Sequence, residues 1–69
     1  MKYLVIIEKI NNNYSAYLPD VSGCIASGKT IEETKKNITE ALLIHLEGLK
    51  KDGLPSPEPR VKVDYVAVS

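Results

Sequence analysis

The spacing of apolar positions changes repeatedly along the chain, and each change marks the edge of an element. Tyr3-Leu4-Val5-Ile6-Ile7 is an unbroken apolar run rich in β-branching. Successive side chains of a strand point to opposite faces, so the run predicts a first strand that is apolar on both. Tyr3, Val5 and Ile7 then line one face and Leu4 and Ile6 the other. Asn11-Asn12-Asn13 reads as a turn, because asparagine tolerates positive φ and bonds nearby backbone. Tyr14–Leu18 is the returning strand of a hairpin, antiparallel to the first. Pro19-Asp20 ends it, Val21-Ser22-Gly23 turns the chain, and Cys24–Ser27 is a short third strand at a sheet edge, stopped by Gly28.

The pattern then shifts to helical spacing. Thr30 with Glu33 three residues on has the form of a capping box, in which each satisfies an orphan backbone N–H of the first turn. Glu32 and Glu33 complement the positive end of the helix dipole, and Lys50 and Lys51 the negative end. Gly53 fits the position just past the helix and Pro55 prevents continuation, which predicts a helix from Ile31 to Asp52. Ile31, Thr34, Ile38, Ala41, Leu42, His45 and Leu49 share the face that covers the sheet. Leu43 and Ile44 fall on the outer side and predict a second contact surface. Leu54–Pro59 alternates prolines and reads as a stiff, extended connector outside the sheet. Val61-Lys62-Val63-Asp64-Tyr65 returns to period two and Val66-Ala67-Val68 is apolar throughout, a fourth strand.

The expected architecture is one α+β domain over residues 1–69, in the order β-β-β-α-β. A right-handed crossover sets the last strand parallel to the first and gives a sheet order of 3-2-1-4 with the helix on one face. One helix covers one face only. The face carrying Leu4 and Ile6 therefore calls for a partner, and a second copy of the chain is the simplest. Self-association as a homodimer or homotetramer, through Leu4, Ile6, Leu43 and Ile44, is expected.

Composition sharpens this picture. A chain of 69 residues makes a marginal core by itself. Small folds compensate with disulfides, metals or association. The single cysteine, Cys24, has no partner for an internal disulfide, and with His45 it makes only two soft ligands where a structural zinc needs four. Nine basic and nine acidic side chains cancel, without the basic stripe of a nucleic-acid-binding domain. The Lys35-Lys36 and Lys50-Lys51 pairs read as solvated helix surface. No apolar run is long enough for a membrane span or a signal peptide core, and with an unpaired cysteine this points to the cytoplasm.

Candidate chemistry is sparse. His45 sits on the apolar helix face with no orienting partner nearby in sequence, and reads as a packed core residue. Cys24 lacks a base that would activate it and reads as a small packing residue. Gly23 and Gly28 read as positive-φ turn residues; their spacing does not make a phosphate loop. Glu8 and Asp64 could approach on neighbouring strands, but two-metal nuclease chemistry needs a larger carboxylate cluster. No catalytic residue, metal or cofactor is expected.

Three segments, Tyr17-Leu18-Pro19-Asp20-Val21-Ser22-Gly23-Cys24, Ala26-Ser27-Gly28-Lys29-Thr30-Ile31-Glu32-Glu33 and Asn37-Ile38-Thr39-Glu40-Ala41, are followed by Gly53-Leu54-Pro55 and Pro57. Together they resemble the signature of the HicB-like antitoxins: a Pro-Asp-Leu-Pro-Gly-Cys loop, a Gly-Asp-Thr helix start, a Glu-Glu-Ala first turn and a late Pro-x-Pro. The likeness spans nearly the whole chain. Ser22 stands where proline is common, Lys29 where an acidic residue is common and Thr34 where alanine is usual. The resemblance implies a partial RNase H-like unit that assembles as dimers or tetramers. It also implies pairing with a HicA-type toxin, an RNA-cleaving enzyme whose catalytic histidine the antitoxin covers. Many members carry a further DNA-binding domain; here the chain ends directly after the fourth predicted strand, so no direct DNA binding is expected. The function expected is that of a non-enzymatic antitoxin of a type II toxin–antitoxin pair. Asp20, Glu32 and Glu33 are candidate contacts to a basic toxin surface, because rim carboxylates steer association. The alternative is an orphan oligomeric scaffold or small-ligand-binding module.

Overall fold

The computed structural model describes residues 1–69. It contains three strands and one helix: β1 (Ile6–Ile10), β2 (Asn13–Tyr17), β3 (Ile25–Gly28) and α1 (Ile31–Lys51). The strands form one antiparallel sheet in the order β1-β2-β3. No helix is long and apolar enough to cross a membrane.

The first hairpin is set by its turn. Ile10 pairs with Asn13, and Asn11 between them takes a φ of 56°, the left-handed region that asparagine accepts more readily than most residues. The ladder runs outward from this turn to the pair Ile6–Tyr17 and stops there. It therefore covers Ile6–Ile10 instead of the expected Tyr3–Ile7. Beyond Tyr17 the partner backbone is lost, because Leu18 donates its N–H to the Cys24 carbonyl at 3.4 Å and Pro19 has no N–H to give. Residues 3–5 keep the predicted alternation without a ladder: Tyr3, Val5 and Ile7 pack against the core.

The helix begins and ends on local chemistry. Thr30 is the N-cap, and its Oγ1 accepts the Glu33 N–H at 3.0 Å. The return bond of the predicted box reaches one residue further back, from the Lys29 N–H to Glu33 Oε1 at 3.4 Å. At the other end Asp52 is the C-cap and Gly53 has a φ of 71°. The Gly53 N–H bonds the Lys50 carbonyl at 3.1 Å and the Leu54 N–H the Leu49 carbonyl at 2.9 Å, the pair of bonds of a Schellman motif.

The helix packs chiefly on β3 and β2. Ala16, Leu18, Val21, Cys24 and Ile38 form the buried core, with Thr34 the one buried polar side chain. Thr34 is satisfied by donating its hydroxyl to the Thr30 carbonyl at 2.7 Å. Gly28 lies against this first turn. A Cβ there would stand 2.7 Å from Thr34 Oγ1 and 2.8 Å from its backbone nitrogen. Its φ is not positive, so the expected turn role is corrected: Gly28 is required for close approach of β3 to the helix, whereas Gly23 at φ 80° does adopt the turn conformation. Twenty-one helical residues rise about 31 Å, against about 17 Å for a five-residue strand, so α1 overhangs its sheet. His45 lies on the overhang and is only half-buried, not packed in the core; Ile31, at the other end, is exposed.

The fourth strand is absent from the isolated chain. Residues 61–68 pair with nothing, and the expected order 3-2-1-4 is corrected to a three-stranded sheet. The physical reason lies in two anchors on the connector. Tyr3 donates its hydroxyl to the Pro57 carbonyl at 2.6 Å, and the Val61 N–H meets both Asp20 carboxylate oxygens at 3.2 Å. Together they hold the connector to the segment before β1 and to the loop between β2 and β3, and residues 61–68 lie in no ladder with β1. The radius of gyration, 13.7 Å, exceeds the roughly 11 Å of a compact chain of this length.

Candidate protein interface

Three parts of the surface expose the apolar or acidic side chains singled out in the sequence. The first is the sheet face opposite the helix. Partners in a ladder share a face, so the register Ile6–Tyr17–Ile25 sets three large side chains in one row across all three strands. Tyr17 is 46% and Ile25 67% exposed, and Leu4 belongs to the same face by alternation. Ser15, Ser27 and Glu8 make up the next row. Beside it, Tyr17, Pro19, Ser22, Gly23 and Ile25 line an open cleft of about 460 Å³. Ile6 and Leu4 were legible as members of this face. Tyr17 and Ile25 were missed, although aligning the strands about the asparagine turn would have found them.

The second surface is the outer side of the helix. Leu43 and Ile44 are 59% and 70% exposed there. They lie on the side of α1 away from the sheet, so they do not form one patch with Leu4 and Ile6.

The third comprises the predicted acidic contacts, which the fold separates. Asp20 lies in the loop before β3, whereas Glu32 and Glu33 follow its far end, about 13 Å of strand away. Asp20 is half-buried, and its carboxylate accepts the remote Val61 N–H instead of capping its own loop. Glu33 is engaged at the helix start, and Glu32 is exposed with no bonded partner. Lys29, Lys35 and Lys36 surround this pair in sequence and reduce its net field.

No three His, Cys, Asp or Glu side chains converge as a metal site would require. Asp64 accepts the N–H of its neighbour Tyr65 at 2.7 Å and does not approach β1. Cys24 is buried and free, and desolvation pushes its thiol above the ordinary range, the reverse of an activated nucleophile.

Comparison with known proteins agrees with an interaction module. A family model described as the HicB_like antitoxin of bacterial toxin–antitoxin systems matches residues 3–68. A 14.9 kDa protein from the rep–hol intergenic region of Haemophilus phage HP1 is 41% identical over 66 residues, covering 96% of this chain and 50% of that protein. The chain thus spans half the length of this relative. A UPF0150 protein of Synechocystis is 39% identical over 67 residues, covering 96% of this chain and 85% of its own. Among solved structures, a chain of the HicA3 and HicB3 toxin–antitoxin complex superposes with a TM-score of 0.70 at 35% identity, over 87% of this chain and 70% of that one. On sequence and fold together, the chain belongs to the HicB-like antitoxin family of bacterial toxin–antitoxin systems.

Proposed function

We propose that this protein neutralises a HicA-type, RNA-cleaving toxin by binding over its active surface, without catalysis of its own. The observation that carries the reading is its likeness in fold and sequence to a chain of a HicA3 and HicB3 complex, on a molecule whose outstanding features are exposed apolar faces. The mechanism needs no bond-making. Occupied surface excludes RNA, and mass action sets the free toxin fraction. Glu32 and Glu33 steer the encounter with a basic partner, and Asp20 contributes charge while holding the connector. Leu4 and Ile6 on the sheet, with Leu43 and Ile44 on the helix, are the surfaces for self-association. The working compartment is the cytoplasm, where a toxin acting on cellular RNA must be met.

Co-expression with a HicA-type toxin tests the reading. A complex that co-purifies and suppresses RNA cleavage stoichiometrically is expected. Charge reversal at Glu32 and Glu33 together should slow association roughly tenfold and leave dissociation nearly unchanged. Cleavage that continues undiminished with the chain in micromolar excess would return the protein to the scaffold reading.

A further inference from the structure

The segment that fails to pair within one chain has the form of a strand made for another. Val61, Val63 and Tyr65 alternate with Lys62 and Asp64, the pattern of a strand with one buried face. In the isolated chain this face is wet: Tyr65 is 90% exposed, and Val63, Val66 and Val68 are also exposed. No strand of the fold pairs with them, and six apolar residues lie among residues 61–68 with only one charge of each sign. A free apolar segment of this composition is an association hazard unless it has a designated place.

The body of the molecule offers that place. β1 is an outer strand of the sheet, so one side of its backbone is unpaired. The helix packs chiefly over β3 and β2 and leaves the inner face of β1 incompletely roofed. Along the segment leading into β1, a groove of about 210 Å³ opens between Tyr3 and Val5 on one side and Ile38 and Leu42 on the other. One strand added to β1 would satisfy its free edge, and its apolar side chains would roof this groove. Lys62 would then fall on the opposite face, the face of Glu8.

We propose that residues 61–68 of one chain add to the β1 edge of a second copy, so that two chains exchange their last strands. The sheet of each copy then acquires its fourth strand, next to β1, from its partner. Exchange follows from the anchors. Tyr3 holds Pro57 and Asp20 holds Val61, so the segment starts from the loop between β2 and β3, and it lies in no ladder with its own β1. Strand addition then supplies backbone hydrogen bonds for affinity and alternate side chains for specificity. A reciprocal, two-fold exchange closes on itself and leaves no free segment to grow a fibre. The proposal concerns the chain alone and is independent of what toxin it meets.

The test uses the purified full chain without toxin. Sedimentation and light scattering at micromolar concentration should give a dimer. Val63→Pro removes a ladder N–H and should raise the dimer dissociation constant roughly a hundredfold. It lies outside every helix and strand, so helical circular dichroism should stay unchanged and separate lost association from lost folding. A second measurement fixes the geometry in a Cys24→Ala background. Isotopically heavy chains carrying E8C are mixed with light chains carrying K62C and treated with a short bismaleimide. Crosslinked peptides joining heavy β1 to a light tail are expected. A monomeric full chain, a Val63→Pro dimer as tight as the parent, or crosslinks only between two tails would overturn the proposal. So would E8C and K62C placed in one chain and crosslinking within a monomer.

Discussion

Replacing Gly28 by alanine isolates the contact on which the sheet–helix arrangement depends. The added Cβ would meet Thr34 Oγ1 at 2.7 Å, the Thr34 nitrogen at 2.8 Å and the Glu33 carbonyl carbon at 3.2 Å. Two of these are backbone atoms of the first helical turn, and the third belongs to a fully buried side chain already bonded to Thr30. None is the free end of a flexible side chain, so β3 and α1 must separate. Overpacking of this kind costs about 1–3 kcal/mol, a large share of the roughly 3–5 kcal/mol that a core of this size supplies. At about 4–8 °C per kcal/mol, Gly28→Ala should lower the melting temperature by about 10 °C. Gly48→Ala is the matched control. It lies within α1 with nothing within 4 Å of a built Cβ, so alanine should add about 0.5–1 kcal/mol through helix propensity and raise the melting temperature. Thermal unfolding followed at 222 nm, at one protein concentration, reads both. A Gly28→Ala chain melting within about 2 °C of the parent would mean that the turn yields without loss, against the overpacking argument. Adding Thr34→Ala should recover only part of the deficit, because the backbone contacts remain.

Two further outcomes follow from groups the fold has tied down. Burial raises the Cys24 thiol above its ordinary range, so the folded chain holds that proton more tightly than the unfolded one. The associated stability is complete below the unfolded thiol pKa and is lost as pH rises through the folded value. Cys24→Ala should remove that part of the alkaline decline, and native Cys24 should label with a maleimide roughly a hundredfold more slowly than in urea; equal labelling rates would refute burial. Asp20→Ala removes the acceptor of the Val61 N–H, so hydrogen exchange at that amide should accelerate about tenfold while amides in β2 are unaffected. Protection at Val61 that survives the substitution would mean that another group holds the connector.

The parts of the fold that were legible in the sequence are those fixed by neighbours along the chain. The helix was predicted over Ile31–Asp52 and occupies Ile31–Lys51, because its start rests on Thr30 and Glu33 and its end on Gly53, all within a few residues of the bonds they make. The asparagine turn was legible for the same reason. What failed depends on residues distant in sequence. Pairing of residues 3–5 is lost because β2 ends at Tyr17, a fact about another strand. Asp20 looked like a local cap, and its partner lies 41 residues away. Gly28 looked like a turn glycine, and its requirement comes from the helix that lands on it. The candidate contacts Asp20 and Glu32 with Glu33 lie at opposite ends of β3, a separation that sequence order alone does not give. The fourth strand was read from the alternation of Val61, Val63 and Tyr65, but residues 61–68 join no ladder within the chain.

That last point bears on how such a chain remains folded. Only six of 69 residues are buried, and the largest fully buried side chains are Val21 and Thr34. A core this small leaves little margin against the conformational entropy of folding. The missing burial has to come from apolar surface now in water: the row Ile6–Tyr17–Ile25, the groove beside β1, the pair Leu43 and Ile44, and the alternating tail. Association at these surfaces, as proposed, would contribute twice, by removing apolar area from water and by drawing the folding equilibrium toward the state that binds. A partner at a hundred times its dissociation constant adds about 2.7 kcal/mol, comparable to the margin of the isolated domain. Under the proposed association, stability and partner binding form one equilibrium, and a substitution that weakens a contact face would act on folding as well as on affinity.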